Sequence, residues 1–146
     1  MIQLPSPTKL VEKSGNKAIF EIGPLYPGYG ITIGNALRRV LISSIDGAAV
    51  TSFKIRGVDH EFSTIPGVME DVIDIILNLK RVRFKVFSDE PVVLTLSTKG
   101  QKTVTAGDIK ITADVEVINE DQPIATINDP KKDFEMEITV ERGIGY

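Results

Sequence analysis

Apolar residues recur along this chain with two periods, and the switch between them divides it into elements. In residues 32–46, Ile33, Ala36, Leu37, Val40 and Leu41 gather on one arc at about 100° per residue. Arg38, Arg39 and Ile42 fall on the opposite side, so the stretch predicts a helix with an apolar face and a mixed outer face. Thr32 is its expected N-cap, accepting from the amide of Asn35, and Asp46 with Gly47 is its expected stop. The helical period returns in residues 68–79, after Pro66 and Gly67. There Val68, Val72, Ile75, Ile76 and Leu79 share a face that Ile73 and Leu77 widen, leaving Glu70, Asp71, Asp74 and Asn78 a narrow wet edge. That pattern predicts a largely buried helix, its acids near the N-terminus and Lys80 and Arg81 at the C-terminus, as the helix dipole favours.

The rest has the texture of strands. Residues 8–13 and 17–22 flank the turn residues Ser14 to Asn16 and predict a hairpin, while the prolines and glycines of 23–30 make a lead-in loop to the first helix. Beyond Gly47, residues 48–55 carry Val50, Phe53 and Ile55 among polar neighbours, and a second lobe begins. In residues 81–87, Arg81, Arg83 and Lys85 alternate with Val82, Phe84 and Val86, a half-buried strand with one basic face. Turns at 89–91 and 99–102 lead into 92–96 and 103–105, which predicts a β-meander. Residues 115–118, 124–127 and 134–140 are three further strand candidates, the last alternating cleanly so that Glu135, Glu137, Thr139 and Glu141 meet water. The expected class is α+β, with mixed or antiparallel sheets and two main helices in two lobes. Residues 1–47 form the first part of one lobe, 48–142 an inserted β-rich lobe with one buried helix, and 143–146 the start of the return.

Composition narrows the function classes. With 146 residues, 42% of them hydrophobic, the chain can build a core, and the absence of cysteine removes disulfides, thiol nucleophiles and Cys-type zinc sites. A net charge of −3 disfavours a surface that grips nucleic acid throughout. No stretch approaches the roughly 20 apolar residues of a membrane span, and residues 1–7 lack the basic-then-apolar pattern of a secretion signal. The expected location is cytoplasmic, with no membrane contact.

Five features invite a chemical reading. Arginines flanking Ile42 on an outward helix face have the composition of a protein–protein contact, since arginine covers apolar surface with its stem and offers a fork of donors. The Gly28–Gly34 stretch before a helix suggests a binding module for a small anionic ligand, but the Walker lysine is missing and the glycine spacing breaks the dinucleotide pattern. His60 between Asp59 and Glu61 invites a general-base, hydrolase or metal reading, against which adjacent residues in extended chain point to opposite faces. Glu70, Asp71 and Asp74 suggest a divalent-cation site, although helix-end electrostatics and solubility account for them. Lys80 with Arg81, Arg83 and Lys85 is the densest positive patch, either simply solvated or suited to an acidic partner.

Gly28, Gly30, residues 32–39 (Thr-Ile-Gly-Asn-Ala-Leu-Arg-Arg) and Ser43–Ser44 closely resemble the signature helix of the bacterial RNA polymerase alpha subunit, N-terminal assembly domain. Residues 67–80 are a second match of the same kind, and 56–63, 106–109 and 141–146 resemble the family's connecting segments. The resemblance implies a non-catalytic scaffold that dimerises and serves as the platform on which the beta and beta-prime subunits assemble in transcription. It further implies that the nucleotidyltransferase chemistry, with its metal, sits in those large subunits, and that this chain needs no cofactor. Carried over residue by residue, it points to Arg39, with Arg38 and Ile42 beside it, as the beta contact. Lys80 is then the beta-prime contact, and Ile33, Leu37, Val40 and Leu41 serve the core and dimer seam. The family chain continues past residue 146 with the rest of the first lobe, a linker and a DNA-binding domain. Homodimerisation and DNA contact are therefore open for these residues, and the first helix is expected to show an uncovered apolar face.

Overall fold

The computed structural model describes residues 4–145, which divide into two compact units, one ending at Ile45 and one spanning Asp46–Gly145. In the first unit, β1 (Lys9–Ser14) and β2 (Lys17–Glu21) form the expected antiparallel hairpin, with Ser14 opposite Lys17 across a two-residue turn. Gly15 stands in the turn at φ 53°, the left-handed region that such hairpin loops need. Every residue of both strands is exposed.

Helix α1 (Tyr29–Ser43) starts three residues before the expected cap. Gly28, at φ 89°, turns the chain so that the helix can begin at once, and the Tyr29 amide bonds the Tyr26 carbonyl at 3.0 Å while the two rings meet edge to face. Thr32 therefore lies inside the first turn and caps nothing. At the other end Ser44, not Asp46 and Gly47, closes the helix: its amide donates to the Val40 carbonyl at 2.9 Å, and the Ser43 hydroxyl donates to the Arg39 carbonyl at 2.7 Å.

The second unit is built on an antiparallel sheet in which β10 (Asp133–Ile144) lies between β3 (Asp46–Ile55) and β5 (Val92–Lys99), with β7 (Ile109–Lys110) outside β5. Two further pairs complete it: β4 (Phe84–Val86) with β8 (Val115–Val117), and β6 (Lys102–Thr105) with β9 (Pro123–Ile127). The expected meander is thus corrected. Strands β4, β5 and β6 follow one another in sequence, yet each finds a partner that arrives later, because burying their apolar faces around one core requires long-range pairing. Phe134, Met136, Ile138 and Val140 of β10, Leu94 and Leu96 of β5, and Ile124 and Ile127 of β9 are all buried in that core.

A bulge settles an oddity of β3. Val50 differs in parity from Phe53 and Ile55, so strict alternation would send Val50 to the opposite face. The pairing skips Thr51, with Ser52 opposite Thr139 and Val50 opposite Val140, and the extra residue restores Val50 to the core side. The Thr51 hydroxyl then donates to a Glu141 carboxylate oxygen at 3.0 Å.

The second helix, α2, is shorter than its periodicity suggests, running Val72–Leu79 instead of 68–79. Residues 68–71 are drawn into extended contact with β9: Val68 bridges Ile127, and the Met69 amide donates to the Thr126 carbonyl at 2.9 Å. Gly67 permits the preceding bend with φ 81°, and a Cβ there would come within 2.9 Å of the Asp129 Cβ. Asp71 becomes the N-cap, its carboxylate accepting from the Asp74 amide at 2.8 Å. Nor is the helix largely buried, since only Val72, Ile75 and Leu79 are sealed, Ile76 is half-buried, and Ile73 and Leu77 face outward.

Candidate functional site

On α1, Arg38, Arg39 and Ile42 are all exposed, with Ile42 one turn on from the arginines. Neither guanidinium pairs with a carboxylate among the described residues. Such a helix turn presents two forks of donors around an apolar side chain, the chemistry of a contact to a carboxylate-bearing protein surface. On the opposite arc Leu37, Val40 and Leu41 are exposed too, and Ile33 is half-buried. No residue of α1 is buried among the described residues, so Leu37, Val40 and Leu41, with half-buried Ile33, form an exposed apolar stripe.

From Tyr29 onward the residues of the glycine-rich stretch are already helical, which places Gly30 and Gly34 within α1 and leaves only Gly28 of that stretch in the lead-in segment, so nothing here supports the reading as an anion-binding module. In the second unit His60 is exposed, and its Nδ1 lies 3.2 Å from the Ser63 hydroxyl, a local contact within one turn. Neither Asp59 nor Glu61 hydrogen-bonds the ring.

Each acid of the suspected cation site has a structural partner or position. Both Glu70 oxygens are engaged by Thr126, Asp71 caps α2, and Asp74 sits in the first turn near the positive helix end. No cluster of three or more potential metal-binding His, Asp or Glu side chains occurs among the described residues.

Lys80 stands at the C-cap of α2, exposed, with its amide donating to the Ile76 carbonyl at 3.0 Å. The helix end thereby fixes a cation where the dipole is negative. The segment after it is a turn held from below: the Asn119 side chain accepts from the Arg83 amide at 2.7 Å and donates to the Arg81 carbonyl at 2.9 Å. Val82, Phe84 and Val86 point into the core and Arg81, Arg83 and Lys85 outward, as the alternation predicts, although the strand itself covers only Phe84–Val86. Lys85 is partly neutralised, lying 4.0 Å from Glu116 and over the Phe87 ring, whereas Lys80, Arg81 and Arg83 have no carboxylate partner among the described residues. Sequence reasoning missed the outward apolar pair Ile73 and Leu77 beside Lys80, because a helix with so many apolar positions does not declare which will be covered.

A family model described as the RNA polymerase Rpb3/RpoA insert domain matches residues 53–146. The chain belongs to this family. The insert-domain match covers most of the second unit, and similarity to curated relatives extends into the first. The chain is 52% identical over 149 aligned positions to the DNA-directed RNA polymerase subunit alpha of Desulfitobacterium hafniense (strain DSM 10664 / DCB-2), which takes in 100% of this chain and 47% of that protein. It is 57% identical to the subunit of the same name from Moorella thermoacetica over 87% of this chain and 40% of the relative. With that of Corynebacterium efficiens it shares 54% identity over 99% of this chain and 42% of the relative. The chain thus spans less than half the length of these relatives. The α+β class agrees with the sequence expectation, and no helix among the described residues is long and apolar enough to cross a membrane.

Proposed function

We propose that this chain acts as the assembly part of a DNA-directed RNA polymerase alpha subunit, a non-catalytic scaffold of the transcription complex in the cytoplasm. The observation that carries the reading is the identity of 52% along all of this chain with a subunit of that name. Arg39, flanked by Arg38 and Ile42, serves as the contact to the beta subunit, and their exposure without internal carboxylate partners supports the role. Lys80 serves as a contact to beta-prime, supported by its accessible place at the end of α2. The stripe of Ile33, Leu37, Val40 and Leu41 forms the seam with a second copy, a use that fits an apolar helix face left open in the single chain. Catalytic groups, metal and cofactor are supplied by the other subunits, and strong DNA binding is not part of this chain's task, in keeping with its net charge of −3.

Co-expression with tagged beta and beta-prime subunits tests the proposal. The chain is expected to co-purify with the beta subunit and to recruit beta-prime to it. Recovery of both large subunits free of this chain, at concentrations where the chain remains folded by circular dichroism, would overturn it.

A further inference from the structure

We draw no further inference here: the strongest candidate, the groove that residues 58–61 and Val72 and Ile76 of α2 form beside the edge strand β3 at Phe53, Lys54 and Ile55, is a partly apolar cavity, and nothing in the structure shows what covers it.

Discussion

Thr126 holds Glu70 by both carboxylate oxygens, its amide donating at 2.6 Å and its hydroxyl at 2.9 Å. This bond joins the segment before α2 to β9 across more than fifty residues of sequence, and it keeps residues 68–71 out of the helix. Glu70→Ala would leave the Thr126 amide without that acceptor, and because the bond is only part-buried the loss should lie toward the lower end of the roughly 1–3 kcal/mol that a fully buried donor would cost. The urea midpoint should fall accordingly, and Glu70→Gln, which keeps one acceptor, should fall less. Equal midpoints for Ala, Gln and the parent would show that the bond stabilises nothing.

Ile75 is completely buried at the centre of α2, whereas Ile76 is only half-buried. Ile75→Ala is expected to cost about 2–5 kcal/mol through lost burial and a cavity. Ile76→Ala should cost clearly less, although periodicity alone puts both on the same face. A chemical denaturation series in which Ile76→Ala is the more damaging change would mean that the helix is rotated from the orientation described.

Asp108 gives the second lobe an acid-sensitive tie. Burial works to raise its pKa, but the hydrogen bond from Lys102, the Thr105 amide and the lysine's charge together hold it below its ordinary 3.8. A depressed carboxylate contributes stability that is present above the unfolded-state pKa and lost as the pH falls through the folded one. Asp108→Asn should therefore be less stable than the parent at pH 6, and the gap should close as the pH drops below about 4. Thermal melts of the two proteins from pH 6 to pH 2 that stay parallel would refute this.

Arg39→Ala should separate binding from folding. Exposed helix positions usually change stability by less than about 0.5 kcal/mol, whereas truncating an arginine buried and paired at an interface costs about 2–5 kcal/mol of binding. Titration against the beta subunit should show the loss, and the melting temperature should barely move. An affinity equal to that of the parent would remove Arg39 from the contact.

Element identities were largely legible in the sequence, because alternation and the helical period reflect burial on one face. Partners were not. Nothing near Phe84 in sequence announces Val117 as its opposite, and pairings of this kind emerge only when several half-buried strands compete for one core. The start of α2 was misplaced for a related reason: local propensity favours helix from Val68, but Asp71 as cap and the Glu70 bond to Thr126 prevail. The outward direction of Arg38, Arg39 and Ile42 could be read from spacing, since opposite arcs of a helix separate whatever packs against it. The exposure of Ile73 and Leu77 could not, as it depends on how much of an apolar helix the rest of the lobe can cover.

At its far end the β3–β10 ladder continues past the reach of β5, with Ala48 opposite Arg142, Gly47 opposite Gly143 and Asp46 opposite Ile144. Arg142 also binds Asp89 at 2.9 Å and reaches toward Asp46 at 3.9 Å. The lobe consequently closes its own circuit: its two ends emerge side by side, about 5 Å apart as paired strands are. The entropy of bringing such distant residues together is offset inside the lobe, by its own ladder. A host structure need supply no more than a gap the width of two strands to receive it, which makes the lobe portable as a graft between neighbouring residues of another framework.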